Sequence, residues 1–266
     1  MQDLLDLDAL EAEFEAALAA ADVDLDKMLD RIRKMLAKAE DPAATSAEAT
    51  AFTAKAIDLM GKYGVSAAML EAADPTANQV ENRYLEVPGP YAYDKVLLLI
   101  TITDALGVKH IRLTTGTNQR MRLFGMNSDL DRVNMLFTSL LVQSASELGK
   151  TPCPPHIAKI AFVKNFMTGY RASIGKRLKA AETNAQDEAE TQRRQHGGEG
   201  PSVALVLRDR AALVKDAFEA EYPKVRTQRG RERSGAGIGA GLAAGNRANL
   251  GGTSVGAGRE AIGAGR

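Results

Sequence analysis

Between Leu25 and Leu70 the apolar residues recur every three to four positions, and between Val108 and Gly125 they alternate. The first period is that of a helix with one buried face, the second that of a half-buried strand. A chain carrying both is neither all-α nor all-β. The expectation is an α+β protein: an N-terminal helical hairpin module, a small (β)αββα domain with a long basic helix, and a disordered Gly/Arg tail.

Leu25, Met28, Leu29, Ile32, Met35 and Leu36 set a helix over 25–40, ended by Asp41-Pro42 because proline disfavours helix in the residue before it. Thr45-Ser46-Ala47-Glu48 fits a capping box. The next helix is expected from Ser46 to Tyr63, with Phe52, Ala56, Leu59 and Met60 buried and Gly64 closing it in the left-handed conformation. Ser66 is expected to cap a short turn through Leu70. An acidic helix over 3–20 precedes the hairpin, so the module covers 1–70 and the polar stretch 71–80 is a linker.

The α/β part covers 81–222. Arg83–Val87 reads as a strand and Tyr93–Leu106 as a helix closed by Gly107. Val108–Thr114 and Gln119–Gly125 form a hairpin, and a helix capped by Ser128 or Asp129 follows through Leu148. Pro152, Pro154 and Pro155 impose a break before a basic helix from His156 to past Ala180. The polar residues 181–200 run into a glycine loop, Ser202–Leu207 reads as a short strand, and Arg208–Tyr222 as a helix stopped by Pro223. From 223 to 266 the expectation is a flexible basic tail, because 12 of the 24 glycines lie in 230–266 and such a segment buries little to offset its ordering entropy.

The formal net charge is zero, but it is unevenly distributed. Residues 1–30 carry −9, residues 150–179 carry +7 with no acid, and residues 224–266 carry +6. Basic segments of this kind can meet polyanions locally despite a neutral total. The single cysteine, Cys153, allows no intrachain disulfide, which fits a reducing compartment. The first residues lack a basic, then apolar, signal pattern, and Val96–Ile102 is too short to span a bilayer. A cytoplasmic protein with no membrane contact is expected.

Residues 26–66 carry a recognisable pattern. Met28-Leu29-Asp30-Arg31-Ile32-Arg33-Lys34-Met35-Leu36-Ala37-Lys38-Ala39-Glu40 is followed by Thr45, Glu48-Ala49, Ala54-Lys55-Ala56 and Leu59-Met60-Gly61-Lys62-Tyr63-Gly64-Val65. This string resembles the domain of unknown function 2786, a small helical module of bacteria, phages and some fungi. Residues 80–222 look like the uncharacterised α/β domain that often accompanies it in actinobacterial and phage proteins. The resemblance implies a bacterial or phage source and supplies no catalytic residues. Some relatives are joined to zinc-peptidase-like domains, but the His-Glu-x-x-His helix of that activity is absent from this chain.

The remaining chemistry is sparse. Cys153 and His156 have a Cys-x-x-His spacing without a second pair, and His110 is distant, so no zinc site is expected. Cys153 lacks a nucleophile signature, and the tail glycines do not form a phosphate loop. No cofactor, metal or catalytic residue is assigned.

Three basic elements carry the functional expectation. On the hairpin, Arg112, Arg120 and Arg122 are expected to share the outer face, opposite Ile111, Leu113, Met121 and Leu123. The long helix adds Lys159, Lys164, Arg171, Lys176, Arg177 and Lys179, and the tail adds Lys224, Arg226, Arg229, Arg231 and Arg233. Cationic side chains so grouped suit phosphate contacts without base readout. The expected role is a non-enzymatic accessory protein binding DNA or RNA. The alternatives are a protein-interaction adaptor docking a partner through its helical module, and an unrecognised hydrolase.

Overall fold

A computed structural model describes residues 25–41, 46–73, 79–115, 118–197, 200–225 and 233–248. The acidic helix expected over 3–20, Thr45 of the capping box, most of the linker, and Arg226, Arg229 and Arg231 lie outside these residues.

Helix α1 (Leu25–Glu40) packs on α2 (Ser46–Ala73) as the expected hairpin. Its stripe of Met28, Leu29, Ile32, Met35 and Leu36 is buried, in one cluster with Ala56, Leu59, Met60 and Tyr63 of α2, and Phe52 is buried as well. Strand β1 (Val80–Val87) leads to α3 (Ala92–Ala105), closed by Gly107 at φ 73°. Strands β2 (Lys109–Thr115) and β3 (Asn118–Met126) form the hairpin and complete an antiparallel sheet of order β1-β3-β2. Helix α4 (Asn127–Lys150) follows directly, then α5 (Lys159–Gln195), α6 (Val203–Glu221) and α7 (Ile238–Arg247).

The α+β expectation holds, and the largest apolar cluster among the described residues joins its parts. Met28, Ile32 and Leu59 of the hairpin lie in the same cluster as Leu99 of α3, Met121 of β3, Leu136 of α4, Tyr170 of α5 and Ala244 of α7. Burying a large side chain of this kind contributes about 1.5–3 kcal/mol. The other sheet face carries Phe124 and Met126, which pack on Val214, Phe218 and Tyr222 of α6 and its C-terminal end.

Several boundaries differ from expectation for identifiable reasons. Helix α2 does not stop at Gly64 but continues to Ala73, and Gly64 is not in the left-handed region a C′ glycine needs. Ser202–Leu207 is not a strand but the start of α6; a short apolar run has no period that separates the two. Ser202 caps that helix, its hydroxyl accepting the Leu205 N–H at 3.2 Å. Helix α5 extends to Gln195, because Ala185 packs with Val65 and Val203. The start of α4 is not capped by Ser128 or Asp129, whose side chains turn inwards.

The tail is corrected in part. Residues 233–248 are not disordered: α7 lies along α5. Gly241, Gly245 and the N-cap Gly237 fall on one face at four-residue spacing. A Cβ on Gly245 would come within 2.7 Å of the Tyr170 carbonyl, and one on Gly237 within 2.7 Å of the Phe162 carbonyl. On α5, a Cβ on Gly169 would come closer still to the α7 backbone, at the Ile238 carbonyl. These glycines permit a helix approach that no larger residue allows.

Candidate nucleic-acid interface

Strand register decides where the hairpin arginines lie. Arg112 pairs with Met121, whereas Arg120 pairs with Leu113 and Arg122 with Ile111. Directly opposed residues share a face. Arg120 and Arg122 therefore lie with Ile111, Leu113 and Tyr84, and Arg112 lies on the opposite face with Met121. The expected three-arginine face does not form. That face needs the apolar residues of the two strands to be in phase, and the register puts them out of phase.

Each hairpin arginine is engaged. Arg122 pairs with Glu221, donates to Asn82 Oδ1 at 3.1 Å and to the Tyr222 hydroxyl at 3.0 Å, and is 13 % exposed. Arg120 stacks on the Tyr84 ring at 4.2 Å, 4.0 Å from Glu86. Arg112 stacks on Tyr93 at 5.1 Å.

On α5 the basic residues separate by direction. At about 100° per residue, Lys164, Arg171, Lys176 and Lys179 fall on a face beside α3, and Arg177 turns away from it. Arg177 donates to the carbonyls of Gly245 (2.8 Å) and Asn246 (3.1 Å), satisfying the end of α7. Burial pulls its guanidinium down to about 10. Lys159 stands exposed at the helix start, away from this face. Arg233, expected in a flexible tail, is docked: it pairs with the buried Asp94 of α3 and donates to the Lys164 carbonyl.

What remains is a cleft of about 330 Å³ between α3 and α5, lined by Thr101, Asp104, Arg171, Gly175, Lys176 and Lys179. Gly175 sets its geometry, since a Cβ there would meet the Thr101 methyl at 2.7 Å. Among the described residues no carboxylate is within ion-pair distance of Lys164, Arg171, Lys176 or Lys179. Arg171 Nε is buried without a hydrogen-bond partner, and burial, then Arg233, holds its guanidinium below the usual range. A second cavity, of about 490 Å³, opens nearer the start of α3, with Tyr91, Tyr93, Gln119, Ile160, Lys164 and Arg233 in its wall.

A buried ionic cluster was missed by sequence reasoning. Arg132 donates to Asp129 at 3.1 Å and pairs with Glu182. Arg210 donates to Asp129 at 3.0 and 2.8 Å and to Ser128 at 2.7 Å, and pairs with Glu71. Both arginines are less than 10 % exposed. Burial pushes the Glu182 carboxyl up, although Arg132 opposes this. Tyr63 lies nearby, pushed up to about 12 by burial and by Asp131 and Glu71. Gly64 makes room for the cluster: a Cβ there would fall inside the Arg132 guanidinium. Tyr63, Gly64 and Glu71 all come from the helical hairpin. Residues 27–67 match the family model Protein of unknown function (DUF2786). That match runs from Lys27 in α1 to Ala67 in α2, so the matched stretch includes Tyr63 and Gly64 while Glu71 lies just beyond it. No curated protein and no solved structure matches the chain.

Cys153 is half-buried, its thiol directed at the carbonyls of Pro154 (3.7 Å) and Ile157 (3.6 Å). His110 Nδ1 is 3.0 Å from Thr103 Oγ1, and burial lowers its pKa. Among the described residues no three His, Cys, Asp or Glu side chains group as metal ligands, and no helix is long and apolar enough to cross a membrane.

Proposed function

We propose that this protein binds nucleic acid through non-specific phosphate contacts, centred on the α3–α5 cleft rather than on the hairpin. The observation that carries the reading is the cleft itself. Arg171, Lys176 and Lys179 line one groove against a single carboxylate, Asp104. Other basic residues already have internal partners: Arg122, Arg177 and Arg233 are held by Glu221, α7 carbonyls and Asp94. Cations without such partners are the ones that can release counterions on meeting a phosphate backbone. Lys164 extends the face, and from Lys164 to Lys179 the helix rises about 22 Å. No contact to base edges is required, so the binding reads charge and backbone rather than sequence.

The test is fluorescence anisotropy of labelled single- and double-stranded DNA and RNA against the full chain at several salt concentrations. Lys176→Ala with Lys179→Ala is expected to weaken binding and to lower the salt slope by about 0.7–0.9 for each phosphate no longer neutralised. Arg122→Ala is expected to leave that slope unchanged. Absence of binding to all four at low salt would remove this reading and favour a protein partner.

A further inference from the structure

The geometry points to the second cavity, at the start of α3, as a pocket for one unpaired nucleotide, so that the protein holds single strands in preference to duplexes. This rests on the nucleic-acid reading above and names the form of its ligand. The cavity, about 490 Å³, lies in the size range of small-molecule pockets. Two large side chains in its wall remain partly open to water, Tyr93 at 39 % exposure, with Arg112 stacked over one face of its ring, and Ile160 at 61 %. An aromatic and an aliphatic side chain beside a cation form the surface on which unstacked bases settle.

The charge of the wall selects the ligand further. Arg233 is neutralised by Asp94, which leaves Lys164 as the cation without a carboxylate partner among the described residues. One such cation suits one phosphodiester rather than a triphosphate. Gln119 also lines the cavity, and its buried Oε1 has no hydrogen-bond partner among the described residues, an acceptor that a base amino group could meet. Tyr91 in the same wall has φ 61°, and it alone among the described non-glycine residues has positive φ; such strain concentrates at binding sites. Bases of a duplex are stacked and paired and cannot enter. A strand seated here would leave past Lys164 and reach Arg171 two turns on, about 10 Å along α5.

The experiment compares the full chain on labelled oligothymidylate and on a duplex of equal length, with Tyr93→Ala, Ile160→Ala and the Lys176→Ala, Lys179→Ala pair. Ile160 is exposed enough that its variant tests the pocket without disturbing the core. The expected result is at least tenfold preference for the single strand. Tyr93→Ala and Ile160→Ala should each erode it several-fold and leave duplex affinity and salt slope unchanged. Equal affinity for both forms, unmoved by these two substitutions, would overturn the pocket and leave the cleft standing. No binding of either form would overturn both.

Discussion

Two effects compete at Gly64. Replacing a helical glycine by alanine ordinarily stabilises by up to about 1 kcal/mol. Here the added methyl would occupy the space of the Arg132 guanidinium, whose two terminal nitrogens are committed to Asp129 and Glu182. Disrupting a buried pair costs about 3–5 kcal/mol, so packing outweighs propensity. Gly64→Ala is expected to lower stability by about 2–4 kcal/mol in urea unfolding. Gly149 provides the contrast: it is helical, exposed, and a Cβ there meets nothing within 4 Å. Gly149→Ala should be neutral or stabilising by up to about 1 kcal/mol. An equal response at both sites would refute the Arg132 explanation. In the sequence Gly64 looks like a helix-ending residue, since a close approach by Arg132, 68 positions away, leaves no local trace.

Among the elements, α7 shows how composition can mislead. Half the glycines of the chain lie in 230–266, which argues for a segment without structure. Their spacing argues otherwise, because positions 237, 241 and 245 share one helical face. Gly241→Ala is expected to undock α7 and leave the sheet and the other helices intact, seen as faster amide exchange confined to 233–248. Protection of α7 unchanged from wild type would show that the glycines are incidental. The junction of α5 and α6 makes a different prediction. Glu190 accepts from Arg193, from the Val203 N–H at 3.1 Å and from Arg194, and these contacts hold its carboxyl down to about 2. A carboxylate with a depressed folded-state pKa contributes stability above its ordinary value near 4.5 and loses it as pH falls towards 2. Glu190→Gln should flatten the fall of the unfolding midpoint across that window, and an unchanged slope would count against the assignment. The elements themselves were largely legible: α1, α3, the hairpin and α4 follow period and punctuation. The face of each hairpin arginine was not, because it depends on register, and register is fixed by pairing rather than by either strand alone.

At the scale of the molecule, the helical hairpin does not stand apart from the rest. It shares the main core, and Glu71 pairs with Arg210 from the far side of the chain. Unfolding should therefore be one transition, with tyrosine fluorescence and helical circular dichroism coinciding. Arg210→Met should lower the midpoint by both probes together, by about 3–5 kcal/mol in stability, since it leaves the buried Asp129 and the part-buried Glu71 without that partner. Separate transitions would mean the hairpin folds as its own unit. The candidate site was legible only as an inventory of cations. Arg122 meets Glu221 across 99 residues, Arg177 meets the Gly245 carbonyl across 68, and Arg233 meets Asp94 across 139. Which cations remain for a ligand is settled by such distant contacts, and no local pattern records them. The same long separations have a consequence in time. Glu71 and Arg210 are 139 residues apart. At about 5–20 residues per second on the ribosome, Glu71 waits roughly 7–28 s for its partner to be made. Until then Asp129 and Glu71 have no Arg210 to compensate them, so the final closure of the core must come late in synthesis, whatever the hairpin has already formed.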